Sequence, residues 1–208
     1  MILNPIRKLK SLIKQFEVSR MPETSVFIVS YPKSGRTWLR VLIGQYLKFG
    51  HGLGDYRLLD TRYITSKLSL PVVHFSHASS FIYNEGPLPL EISDKFSNKK
   101  IIFITREPKD VLTSLYYHYK YRDKKYDGDI SEFIRDKDWG SGRLFDFSNM
   151  WSEYLESSPE HIRISYEELS NDTFEVLKKV LTFLEFPVNL EHIALSVKNS
   201  SLKNMRKY

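Results

Sequence analysis

The run Val26-Phe27-Ile28-Val29-Ser30 is apolar at every position but its last, and it passes directly into Tyr31-Pro32-Lys33-Ser34-Gly35. A strand with apolar side chains on both faces must be covered on both faces, which is the condition of a parallel sheet sandwiched by helices. Pro32 pushes Tyr31 away from helical geometry, so the strand is predicted to end there. From Arg36 to about Phe49 the period changes: Trp38, Leu39, Leu42, Ile43, Tyr46 and Leu47 share one helical face, and Gly50, Gly52 and Gly54 break the pattern. The same alternation recurs downstream. Residues 71–77 read as a second strand with its exit, and residues 101–105, led in by Lys99 and Lys100, as a third. A helix is predicted over 108–120, since proline is favoured where a helix starts and its missing N–H has no partner to lose. Residues 121–130 are polar and read as a loop. Helices are predicted near 130–135, 147–156 and 174–184, with a fourth strand over 161–165. The expected fold class is α/β: a single domain with a parallel sheet flanked by helices. Ligands of such sheets bind beyond the carboxyl ends of the strands.

The 208 residues suffice for one domain with a substantial core. Without cysteine, disulfides, thiol nucleophiles and thiolate metal sites are excluded, and a reducing, cytoplasmic setting fits. The net charge of +6 favours anionic partners without choosing among them. No run of eighteen or more apolar residues occurs. Residues 1–20 interleave Arg7, Lys8, Lys10 and Lys14 with Ile2, Ile6, Leu9, Leu12, Ile13 and Phe16. This predicts a basic amphipathic helix, either docked on the domain of residues 21–208 or lying peripherally on a membrane surface, and not a signal peptide.

Two segments at strand ends are suited to phosphate or sulfate. In the first, Lys33-Ser34-Gly35-Arg36-Thr37-Trp38 opens a helix, whose first N–H groups are unsatisfied and carry the positive end of the helix dipole. Gly35 permits close backbone approach, Lys33 adds a mobile cation, and Ser34 and Thr37 add hydroxyls. It is not a Walker A loop, because Lys33 precedes the glycine. A plain strand-to-helix turn is the competing reading. In the second segment, Arg106 ends a strand and Ser114 lies two turns into the next helix, so a guanidinium fork and a hydroxyl are placed to grip one phosphate. The competing reading pairs Arg106 with Asp110.

Tyr-Pro-Lys-Ser-Gly-x-Thr-Trp at 31–38, followed by Arg-x-Pro-Lys-Asp-Val-x-x-Ser at 106–114, resembles the 3′-phosphoadenosine 5′-phosphosulfate (PAPS)-dependent sulfotransferase family. Trp151, Tyr166-Glu167-Glu168-Leu169 and Ser200-Ser201-Leu202-Lys203-Asn204-Met205 extend the resemblance. It implies a P-loop-NTPase-like sulfotransferase fold. It further implies that Lys33, Ser34, Gly35, Arg36, Thr37 and Trp38 line the phosphosulfate site, and that Lys33 neutralises charge on the leaving oxygen. Arg106 and Ser114 would hold the 3′-phosphate, Tyr166 would meet the adenine region, and Ser200 and Ser201 would lie near the cofactor. The implied base is His77, although Phe75 stands where the family pattern has lysine; His74 is its competitor. Arg36 stands where many members carry threonine, either adding charge near the sulfuryl group or facing solvent. Many members also carry an Arg-Lys-Gly segment clamping the 3′-phosphate. None is found up to Tyr208, and Lys203, Arg206 and Lys207 are the basic residues in its place.

The expectation is therefore direct in-line sulfuryl transfer from PAPS to a hydroxyl or amine, releasing adenosine 3′,5′-bisphosphate, without a metal. The acceptor is expected to be a small molecule, sugar or lipid, shaped by loops 50–57, 79–89 and 121–130 with Tyr56, Tyr83, Tyr121 and Tyr126. A catalytically inactive nucleotide-binding protein of this fold and a kinase-like phosphotransferase are the alternatives. No nucleic-acid-binding signature is present.

Overall fold

A computed structural model describes residues 23–54, 58–77, 96–158 and 160–205. The predicted N-terminal helix, Tyr56, Tyr83, Arg206 and Lys207 lie outside them. In chain order the elements are β1 (Val26–Ser30), α1 (Arg36–His51), α2 (Thr61–Lys67), β2 (Val73–Ser76), β3 (Lys100–Thr105), α3 (Pro108–Tyr117), a π-helical turn (His118–Arg122), α4 (Ile130–Arg135), α5 (Ser141–Ser157), β4 (His161–Ser165), α6 (Tyr166–Asn171), α7 (Thr173–Phe183), α8 (Leu190–Asn199) and α9 (Leu202–Met205).

The strands form one sheet in the order β2-β1-β3-β4, and every neighbouring pair is parallel. Strand alternation divides the core in two. Val26, Ile28, Ile102 and Ile104 point to one face, where α1, α7 and α8 supply Leu39, Leu42, Ile43, Leu177, Leu181 and Ile193. Phe27, Val29, Ile101 and Phe103 point to the other, against Val111, Leu115, Phe147 and Trp151 of α3 and α5. β1 is buried at all five residues because it lies between β2 and β3 with helices above and below. This is the doubly covered sheet expected from its unbroken apolar run.

Several boundaries differ from the sequence reading. The helix predicted over 108–120 keeps α-geometry only to Tyr117, and the next five residues form the π-helical turn. That turn closes with Asp123 N–H donating to the His118 carbonyl at 2.9 Å. It carries into helical structure two residues expected in a loop, Tyr121 and Arg122. α5 begins at Ser141, earlier than predicted, because its polar start hides Arg143, which is buried with 5% exposure. α2, α6, α8 and α9 were not predicted. α2, α6 and α9 are short, and α2 mixes polar and apolar residues without a clear stripe.

α6 follows β4 without an intervening residue because Ser165 caps it. Its Oγ accepts from Glu168 N–H at 3.0 Å, and Glu168 Oε2 accepts from Ser165 N–H at 2.7 Å. Ser165→Ala is expected to destabilise the domain by about 1 kcal/mol, read from the midpoint of urea unfolding with an unchanged slope.

Candidate active site

The carboxyl ends of the strands open into a cleft of about 430 Å³. Lys33, Gly35, Arg36, Thr37 and Trp38 line it from the β1–α1 junction, His77 from the end of β2, Arg106, Ser114 and Leu115 from β3 and α3, and Tyr166 from the end of β4. These segments lie far apart in sequence. Parallel register brings them together, since Val29 pairs with both Ser76 and Phe103, and Thr105 with Ser165.

At the β1–α1 junction the backbone turns through two left-handed residues, Lys33 at φ 70° and Gly35 at φ 90°. Glycine is required at 35 on two grounds. A side chain there would be strained by the positive φ, and its Cβ would lie 2.5 Å from Tyr166 Cδ2. The Gly35 carbonyl accepts from Trp38 N–H at 2.9 Å and Leu39 N–H at 3.2 Å, so α1 starts here. No acidic residue occupies the first turn of this 16-residue helix. Its dipole therefore meets the cleft without a carboxylate from its own first turn.

Arg106 braces the site. Nη1 donates to the Lys33 carbonyl at 3.1 Å, Nη2 pairs with Asp110 at 3.1 Å, and the guanidinium lies 4.2 Å over the Tyr166 ring. The Asp110 pairing considered from sequence is thus real, and it coexists with a place on the cleft wall. Tyr166 meets Trp38 with ring centroids 5.7 Å apart, and Trp38 Nε1 donates to the Ser200 carbonyl at 2.8 Å. One chain of contacts so ties four separate segments around the cleft.

His77 directs Nδ1 at the Ser30 carbonyl, 3.3 Å away, and Nε2 at Arg36 Nη2, 2.5 Å away. Burial, then the Arg36 charge, then Arg40 push its pKa down to about 4, against the Ser30 carbonyl. His74 instead meets the Phe27 ring edge at 5.7 Å and does not line the cleft. Lys33 is held below the ordinary lysine value, by burial first and then by Arg122 and Arg106, with Asp123 opposing.

Ser34 is buried at 2% exposure and does not line the cleft. Ser200 contributes its carbonyl rather than its hydroxyl, which is buried without a partner among the described residues, and Ser201 is exposed. Neither Tyr121 nor Tyr126 reaches the cleft: Tyr121 stacks on Tyr117 at the surface, and Tyr126 packs on Phe133. The sequence reading missed His118, Tyr119 and Arg122, which reach the cleft from the π-helical turn, and Met205 from α9. His118 stands 3.5 Å from Asp123, and its pKa is lowered by burial and by Lys33. Among the described lining residues, lysine and arginine are present and carboxylates are absent. The wall is built for an anion.

Comparison with known proteins bears on the family and the fold. The family model described as "Sulfotransferase domain" matches residues 23–208. Human sulfotransferase 2A1 is 27% identical over 204 residues, covering 88% of this chain and 67% of that protein. Human sulfotransferase 2B1 is 29% identical over 197 residues, covering 88% of this chain and 52% of its own length. The chain thus spans about half to two thirds of these curated relatives. The crystal structure of mouse sulfotransferase SULT7A1 complexed with PAP superposes with a TM-score of 0.63 at 25% identity, over 96% of this chain and 71% of that one. Among the described residues no helix is long and apolar enough to cross a membrane.

Proposed function

The chain belongs to the sulfotransferase family, and from that premise we propose that it transfers a sulfuryl group from PAPS to a hydroxyl or amine of a small-molecule, sugar or lipid acceptor. One observation carries the reading: Lys33, Arg106 and His77 line one cleft at the carboxyl ends of three adjacent parallel strands, with the first turn of α1 between them. In this scheme Arg106 and Ser114 hold the 3′-phosphate, while Thr37 and the first N–H groups of α1 face the phosphosulfate. Tyr166 and Trp38 supply rings for the adenine. His77 takes the acceptor's proton on Nε2, and the acceptor oxygen or nitrogen forms the new bond to sulfur. The bond from sulfur to the bridging oxygen breaks, and Lys33 stabilises the charge left on that oxygen. Arg122 adds positive charge to the same wall.

Calorimetric titration with adenosine 3′,5′-bisphosphate tests the donor site. Arg106→Ala is expected to weaken binding about 10- to 100-fold, since a hydrogen bond to a charged group contributes roughly 1.5–3 kcal/mol. An intact chain that does not bind the bisphosphate would sink the proposal. Tight binding without turnover of PAPS on any acceptor would instead support an inactive nucleotide-binding protein. Preference for ATP with magnesium would support the kinase-like reading.

A further inference from the structure

We propose that Arg36 is a positioning residue for the base: its guanidinium holds the His77 Nε2 lone pair, and the donor's anionic groups compete for that guanidinium, so that the base is freed as the donor enters. The proposal rests on the sulfotransferase reading of the cleft.

A guanidinium has donors and no acceptor, so in the 2.5 Å contact Nε2 of His77 must be the accepting atom. The ring proton then sits on Nδ1 and points to the Ser30 carbonyl. This fixes the tautomer a general base requires, with Nδ1 protonated and Nε2 carrying the lone pair. It also engages the one atom that would take the acceptor's proton. Arg36 therefore neither faces solvent nor merely adds charge. It is half-buried, lines the cleft and closes on the base.

The same guanidinium is placed to leave. Arg36 is the first residue of α1, beside the N–H groups that favour an anion, on a wall that also carries Lys33, Arg106 and Arg122. A hydrogen bond between guanidinium and a phosphate or sulfate oxygen pairs two charges, whereas the bond to neutral imidazole has only one. That difference is the differential affinity a ligand needs to shift a conformational equilibrium. Among the described residues, the charged groups facing His77 are Arg36 and Arg40 of α1; with burial both hold its proton affinity down, and the Ser30 carbonyl of β1 raises it. Withdrawal of Arg36 and arrival of negative charge both push that affinity up, toward the range where an imidazole is an effective base at neutral pH. Binding is then ordered, donor before acceptor.

The test is a pH titration of the histidine Cε1–H signals by NMR on the whole chain, with and without PAPS, in wild type and Arg36→Met. His77 is assigned by the signal lost in His77→Asn. In wild type, PAPS is expected to raise the His77 midpoint by about one pH unit or more, a tenfold change in proton affinity. Free Arg36→Met is expected to start higher and to move less, and Arg36→Lys to fall between. If PAPS binds but leaves the His77 midpoint unmoved, or if Arg36→Met titrates as wild type does, the role of Arg36 is overturned while the sulfotransferase reading stands. If PAPS binds to neither protein, both fall.

Discussion

His77→Ala is expected to lower kcat by about 10²- to 10⁴-fold, the usual contribution of a positioned general base. Affinity for adenosine 3′,5′-bisphosphate should not fall, and the competition proposed for Arg36 would make it somewhat tighter. The residue follows β2, and its hydrogen bond to the Ser30 carbonyl fixes the ring without contributing to the Arg106 end of the cleft. The pH dependence supplies a second readout. With its pKa lowered to about 4, His77 in the free protein is neutral at pH 5 and above. Read at low acceptor concentration, kcat/KM for donor should therefore hold level between pH 7 and 5 and fall only as pH drops through about 4. A fall centred near the ordinary histidine value of 6.5 would remove His77 from the role. The same depression makes the fold acid-sensitive. The unfolded chain takes up this proton near 6.5 and the folded chain near 4, so stability present above 6.5 is lost as pH falls through that window.

Lys33→Met should lower kcat by about 10²- to 10³-fold, the effect of removing one group that meets developing charge. The loss is expected in kcat more than in KM for donor, because the negative charge on the bridging oxygen grows only as the sulfur–oxygen bond breaks. Burial and the neighbouring Arg122 and Arg106 lower the proton affinity of the ammonium, with Asp123 opposing. Arginine is not an adequate replacement, being a wide planar fork where a compact point charge is needed. Position 33 also stores strain, since a non-glycine residue at φ 70° costs about 1–2 kcal/mol. The Arg106 bond to its carbonyl helps to hold it there. Lys33→Gly separates the two properties: turnover should fall as in Lys33→Met while the strain is relieved. Steady-state kinetics and urea unfolding on the same preparations read both. Near-normal kcat in Lys33→Met would contradict the assigned role.

Much of the sheet and many of the residues lining the candidate site could be read from the chain because each rests on a local pattern. β1 and β3 are continuous apolar runs, and Lys33, His77, Arg106 and Tyr166 stand where such runs end. What escaped the sequence depended on geometry between distant segments or on unusual helical winding. His118 and Arg122 reach the cleft from a π-helical turn, whose widened winding has no simple hydrophobic signature. The direction of Ser34 could not be read either, because two left-handed residues flank it and turn it into the protein. Arg36 and His77 are 41 positions apart, and only the register of β1 on β2 makes them neighbours. The Arg106–Asp110 pair, by contrast, follows from i,i+4 spacing and was visible, yet it leaves Arg106 on the cleft wall.

The exits from the strands also bear on how such a chain can diverge. His77, Arg106 and Tyr166 are each the first residue beyond a strand, and Lys33 lies in the short step from Ser30 to α1. Insertions can accumulate in the long crossovers, where surface loops absorb them at little cost. At the exits there is no slack: one added residue would carry the functional side chain to the opposite face of the sheet. The fold therefore separates what may drift from what must not. On the proposed reading, its crossovers are free to explore new acceptors, while the strand exits keep Lys33, His77, Arg106 and Tyr166 in step around one cleft.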